Sequence, residues 1–194
     1  MKNLTVIIPA FNEEHYIQGA IHSVLFATKI IVIDSFSTDD TVAIAESFGC
    51  EIVQRKFDNF SNQKNYALQF ATTEWVLFVD ADERIPYKLQ QEIKTAIHSN
   101  THSAYKLNFP HFYMNRFLYH HSDHVTRLVK RTNAHFEGSV HEKLIIKGTI
   151  GKLKNPVLHY TYKGLIHYIS KKDSYAWFQA KQLLKKKKKQ LTSI

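Results

Sequence analysis

The sequence predicts an α/β protein: a mostly parallel sheet flanked by helices, then a shorter mixed or antiparallel section, then a helical C-terminal extension. Three observations carry that reading. Apolar strand-like runs alternate with amphipathic stretches through residue 98, the pattern of a parallel sheet covered on both faces. Polar clusters fall at the ends of three of those runs: Phe11-Asn12-Glu13, Asp34-Ser35 and Asp80-Ala81-Asp82. Between residues 104 and 162 the helical periodicity gives way to strand-like pieces rich in aromatics and histidines.

Taken in order, Leu4 to Ile8 reads as a buried strand that Pro9 stops. Asn12 can cap the helix that follows, with Glu13 and Glu14 in its first turn. Ile17, Ala20, Ile21, Val24 and Leu25 form its apolar stripe, at the spacing of one helix face. Ile30 to Ile33 is a second strand, and Thr41 to Phe48 a helix closed by Gly49. Glu51 to Val53 is a third strand. Ser61 can cap a helix carrying Tyr66, Leu68 and Ala71, and Trp75 to Val79 is a fourth strand. Pro86 opens a helix with Leu89, Ile93, Ala96 and Ile97 on its apolar face. Later, AYKLNF, HVTRLVK, KLIIKG and PVLHYTY read as strands, and residues 163 to 189 as helix.

Bulk properties narrow the function classes. Hydrophobic residues are 44% and charged residues 22% of the chain, a balance that excludes a disordered protein. Residues 1–162 are expected to form one domain and 163–194 a Lys-rich extension. One cysteine, Cys50, leaves no internal disulfide framework and points to a reducing compartment. The N-terminal apolar run is too short for a signal peptide, and no stretch approaches the roughly 18 apolar residues of a membrane span. The expected location is cytoplasmic. Net charge is +9, but Lys181 and Lys185 to Lys189 supply six of the 26 basic residues. The body is therefore only mildly basic, which argues against a nucleic-acid-binding domain. The tail is either a solvated end or a contact with an anionic membrane surface.

The acids that close the fourth strand are the sharpest motif. Residues i and i+2 of an extended segment point the same way, so Asp80 and Asp82 can face one ligand. Two hard oxygen donors suit Mg²⁺ or Mn²⁺ bridging phosphates; the bland alternative is a solvated loop whose acids cap the next helix. No G-x-x-x-x-G-K-[ST] or G-x-G-x-x-G occurs, which disfavours P-loop and dinucleotide chemistry. A cation would then do more of the work of holding a diphosphate.

TVIIPAFNEE, IIVIDSFSTDDT, NQKNYAL and WVLFVDADE, in that order and spacing, resemble the family 2 glycosyltransferases, which have the GT-A fold. D-S-F-S-T-D and G-S-V-H-E-K-L look like the subgroup that adds a sugar to the inner core of bacterial lipopolysaccharide. The resemblance spans residues 1 to about 165 and implies a nucleotide-sugar-binding half (1–98) and an acceptor half (99–162). It implies that Pro9, Phe11 and Glu13 line the nucleotide site, that Asp34 meets the base or ribose, and that Lys64 approaches the nucleotide or its phosphates. Asp80, with Ala81 beside it, would face the ribose or metal-bound water, and Asp82 would bind the metal. Many members carry Asp-Asp where this chain has Asp34-Ser35, which leaves the base contact to Asp34.

The family inverts the anomeric centre, so a general base must take the acceptor proton. Glu142, beside His141, is the first candidate, ahead of Glu137 and Asp123; the alternative is a surface carboxylate paired with Lys143. His159 either completes the cation site or is a core histidine. HHSDH (residues 120–124) reads as exposed or acceptor-facing, not as a zinc site. Arg127, Lys130 and Arg131 meet a donor diphosphate or an anionic acceptor, or simply face solvent. The resemblance implies an inverting, metal-dependent transfer of a sugar, with glucose expected, from a UDP-sugar to a lipid A-core type acceptor. A nucleotidyltransferase and a truncated inactive homologue are the rivals.

Overall fold

The computed structural model describes residues 3–113, 116–138 and 143–160. The chain runs β1 (Leu4–Ala10), α1 (Glu14–Val24), β2 (Lys29–Asp34), α2 (Thr41–Ser47), β3 (Glu51–Gln54), α3 (Phe60–Leu68), β4 (Trp75–Phe78), β5 (Glu83–Arg84) and α4 (Tyr87–Ser99). There follow β6 (Ala104–Tyr113), β7 (Arg116–Lys130), a 3-10 turn (Arg131–Asn133), β8 (His135–Glu137), β9 (Lys143–Ile145), β10 (Ile150–Pro156) and β11 (Leu158–His159).

Seven strands form the main sheet in the order β10-β6-β7-β4-β1-β2-β3. The β4-β1-β2-β3 section is parallel, and β7 joins β4 antiparallel. This follows from the strands' composition: β1 and β4 are apolar on both faces, as a strand covered from both sides must be. Leu4, Val6, Ile8, Trp75 and Leu77 pack with Ile17, Ile21, Leu89 and Ile93 of α1 and α4. Ile7, Ile31, Ile33, Val76 and Phe78 pack on the other face with Ala67 and Leu68 of α3. The α1 stripe buries Ile17, Ala20, Ile21 and Val24, while Leu25 caps the helix and is half exposed.

Three local expectations give way to other solutions. Pro9 lies inside β1 and pairs with Ile33. The β4 partner has ended at Ile7↔Phe78, so at Pro9 the sheet has a neighbour on one side only, where a missing N–H is tolerated. Asn12 does not cap α1. It sits at φ 53 and its side-chain oxygen accepts from the Thr38 N–H at 2.9 Å, which ties the β1 and β2 rim loops together. The α3 cap is Asn59, accepting from the Asn62 N–H at 2.8 Å. Ser61 is buried and donates to the Gly138 carbonyl.

Two features of the second half position the site. The β6–β7 register steps from Tyr105↔Leu128 to Lys106↔Thr126, which leaves Arg127 as an extra residue; such bulges re-aim a side chain. Then β11 returns antiparallel to β5, pairing Leu158 with Arg84 and His159 with Glu83. The predicted extension, residues 163–194, lies outside the described residues. No described helix is long and apolar enough to cross a membrane.

Candidate active site

The carboxyl ends of β1, β2 and β4 share one rim, where ligands of open parallel sheets bind. At the tip of β4 the chain turns tightly: the Glu83 N–H donates to the Asp80 carbonyl at 2.9 Å, and the Asp80 N–H donates to Glu83 Oε2 at 2.9 Å. Arg127 bridges the two carboxylates, with Nη2 at 2.8 Å from Asp80 Oδ2 and 3.0 Å from Glu83 Oε1. The bridge is shielded on one side only: the side chains of Arg127 and Glu83 are 13% and 1% exposed, that of Asp80 37%.

Electrostatics separates the acids. Burial opposes ionisation of Asp80, but the charges of Arg127 and Lys64 outweigh it and hold the carboxyl below its ordinary range. Burial pushes Glu83 up to about 7, with Asp80 adding to the rise and Arg127 opposing it. Asp82 pairs with His159, Nε2 to Oδ1 3.3 Å, and the same imidazole lies near enough to act on Asp80 and Glu83. Burial lowers the affinity of His159 for its proton, yet the Asp82 hydrogen bond and charge raise it overall. The Tyr160 N–H donates to the Asp82 carbonyl at 2.9 Å, so β11 holds both the backbone and the side chain of this residue.

Whether these residues suit a divalent cation can be judged from the donor pair. Asp82 and His159 face each other across a hydrogen bond, so a cation between them would have to displace the imidazole proton. Among the described residues no group of three or more His, Cys, Asp or Glu is arranged to hold a metal. The donor pair present is one carboxylate and one imidazole, so a cation here would need most of its ligands from phosphate and water.

Other expected residues fall as follows. Phe11 is exposed on the β1 rim, and the Glu13 N–H donates to Thr41 Oγ1 at 2.8 Å. Asp34 is fully buried; it accepts from the Ser37 N–H at 3.0 Å and from Gln54 Nε2 at 3.3 Å. It braces the β2 rim loop, whereas Ser35 beside it accepts from Gln63 Nε2 at 2.7 Å. Lys64 is buried on α3 with Nζ 5.4 Å from the Phe136 ring centroid. Ala81 is buried within the acidic turn.

The structure does not bring Arg131 to this rim. Its N–H donates to Glu74 O and its Nε to Thr73 O, at the amino end of β4, because the 3-10 turn follows the far end of β7. Arg127, expected on phosphate, is held by Asp80 and Glu83 through the bulge. His141 and Glu142 lie outside the described residues. Sequence reasoning gave no role to Gln63 or to Arg84, which sits under the acidic turn; a basic residue directly after three acids was the available signal.

The family model Glycosyl transferase family 2 matches residues 5–169. The chain belongs to glycosyltransferase family 2. An uncharacterized glycosyltransferase of Rickettsia conorii is 32% identical to this family member, over 97% of the present chain and 74% of the relative. The lipopolysaccharide core biosynthesis glycosyltransferase LpsC of Rhizobium meliloti is 24% identical over 92% of this chain and 71% of its own length. Among solved structures, S. aureus TarS 1–349 in complex with UDP-GlcNAc superposes with a TM-score of 0.61 at 17% identity. That match covers 84% of this glycosyltransferase and 59% of TarS 1–349, and it supports the GT-A fold expected from the sequence.

Proposed function

We propose that this glycosyltransferase transfers a sugar from a UDP-sugar with inversion, using a divalent cation, Mn²⁺ or Mg²⁺, at Asp82 and His159. The observation that carries the reading is the Asp82–His159 pair on the carboxyl rim of β4, 3.3 Å apart. The bound cation supplies neutralisation of the charge that builds on the leaving diphosphate. Asp80, kept ionised by Arg127, faces the ribose or cation-bound water. Ser35 and Gln63 lie beside Asp34 where the base is expected, and Lys64 adds positive charge under the phosphates.

Glu142 remains the proposed general base, taking the acceptor hydroxyl proton as that oxygen attacks the anomeric carbon from the face opposite the diphosphate. Its segment is bracketed by Gly138, anchored on Ser61 of α3, and by Lys143 at the start of β9. A lipopolysaccharide-core type acceptor is supported by the likeness to LpsC, and glucose as the donated sugar follows from the subgroup motifs D-S-F-S-T-D and G-S-V-H-E-K-L. The Lys-rich segment at residues 181–189 would serve that acceptor by contact with the inner face of the cytoplasmic membrane. Support for a uridine donor comes from the complex in which TarS was solved.

The test is calorimetric titration of UDP, GDP and UDP-glucose, with and without Mn²⁺, into wild type and Asp82→Ala. Metal-dependent UDP binding that Asp82→Ala abolishes is the expected result. Absence of nucleotide binding under every metal condition would overturn the donor-site assignment.

A further inference from the structure

Arg84 makes an unusual set of contacts for a charged side chain. Its Nη1 donates to the Ala81 carbonyl at 2.9 Å and to the Glu83 carbonyl at 2.8 Å, while Nη2 donates to the Tyr16 carbonyl of α1 at 2.9 Å. The first two carbonyls flank Asp82 on either side. The guanidinium also lies 5.8 Å from the ring centroid of Tyr160, whose own N–H holds the Asp82 carbonyl. One planar group thus joins the acidic turn, α1 and β11. Lysine, with a single ammonium and no fork, does not span three carbonyls on two separate segments.

The space for this group comes from Gly19. It stands inside the 11-residue helix α1, where glycine costs roughly 0.5–1 kcal/mol relative to alanine. A Cβ at Gly19 would lie 2.5 Å from Arg84 Nε and 2.7 Å from Cζ. The glycine is not needed for a turn or a positive φ. It leaves a notch in the helix surface that the guanidinium occupies.

We propose that Arg84 is a positioning residue for Asp82, fixing the backbone of the acidic turn against α1 through the notch at Gly19. This rests on the reading of Asp82 as the ligand of a diphosphate-bound cation. Groups that orient a metal ligand are worth about 10–100-fold in affinity when removed. The inference separates the site's geometry from its charge: Arg84 touches neither the cation nor the nucleotide and acts through the carbonyls beside Asp82.

Gly19→Ala makes the decisive variant. It displaces the guanidinium of Arg84 without removing the residue, and its gain in helix propensity offsets part of the stability lost with the three hydrogen bonds. The experiment measures Mn²⁺-dependent UDP affinity and thermal unfolding for wild type, Arg84→Ala, Arg84→Lys, Gly19→Ala and Gly19→Ala/Arg84→Ala. Expected are an affinity loss of about 10–100-fold in both single alanine variants and no further loss in the double variant. Gly19→Ala should lose less thermal stability than Arg84→Ala, and Arg84→Lys should fail to restore binding. Millimolar guanidinium chloride, but not sodium chloride, should recover part of the affinity of Arg84→Ala. Wild-type affinity in Gly19→Ala and Arg84→Ala overturns the inference alone, as does an Arg84→Ala loss that follows unfolding while Gly19→Ala binds normally. A wild-type chain that binds no nucleotide overturns the donor-site reading, and this inference with it.

Discussion

Arg127 Nη2 stands 2.8 Å from Asp80 Oδ2, across 47 residues of sequence. The bulge that makes Arg127 an extra residue on β7 is what allows the reach. Because Glu83 accepts from the same nitrogen, one cation compensates two acids in a place shielded on one side.

Removing that cation leaves the buried Glu83 without compensation, which costs at most about 3–5 kcal/mol, while Asp80, with its side chain 37% exposed, adds little. Arg127→Ala is expected to lower stability by that order in urea denaturation. Adding Glu83→Gln should recover part of the loss, since the amide carries no charge to strand. A double variant no more stable than Arg127→Ala would show that packing, not charge, sets the cost.

Asp58 carries an acid-dependent share of stability. Its carboxylate accepts from Arg55 at 2.7 Å, from Asn62 Nδ2 at 2.6 Å and from the Asn59 N–H at 2.8 Å. The Arg55 bond is the largest of the causes that hold its pKa below the ordinary 3.8. A depressed carboxyl stabilises the fold above its unfolded value and loses that contribution as pH falls through the folded one. Asp58→Asn should be less stable by about 1 kcal/mol or less at neutral pH, given the partial exposure of the pair. The gap to wild type should close as pH drops below 3.8, measured by urea denaturation at successive pH values.

Phe36 holds φ at 63 with its ring 52% exposed. A bulky side chain in the left-handed region stores about 1–2 kcal/mol, and this one recovers little by burial. Phe36→Gly should raise stability by about 0.5 kcal/mol once glycine's own entropy cost is set against the relief. Equilibrium unfolding checks this. If UDP affinity falls in the same variant, the strained ring serves the rim of the donor site.

Cys50 is buried, and burial pushes its thiol up to about 11. A thiol kept protonated is a poor nucleophile. Reaction with a disulfide reagent at pH 8 should be slow in the native protein and fast in urea; rapid native-state labelling would mean that the β3 edge opens.

Much of the first hundred residues was legible because local periodicity there agrees with the tertiary environment. The stripe Ile17, Ala20, Ile21 and Val24 reports burial of α1 directly, and the apolar runs mark β1, β2 and β4. Three acids after an apolar strand likewise located the rim. What remained illegible was set by distant neighbours. Pro9 could stay in β1 only because β4 ends early. Ser61 lost its cap role because Gly138 offered a buried partner, and β10 hides its alternation by burying Gly151 and exposing Ile150. Arg127 and His159 stand out in the sequence as site candidates, but their pairing with the acids depends on a bulge and on a strand of two residues, which leave no pattern in sequence.

The late arrival of those partners bears on how the protein is made. When a ribosome has released residues 1–98, all strands of the parallel section have emerged, together with Asp80, Asp82 and Glu83. Arg127 and His159 are still unsynthesised or inside the exit tunnel. The acidic turn must then remain wet, and the sheet cannot close over it at low cost. Biosynthesis of this glycosyltransferase therefore favours a waiting nascent chain, whose N-terminal half commits to its final packing only once the strand bearing His159 has come out.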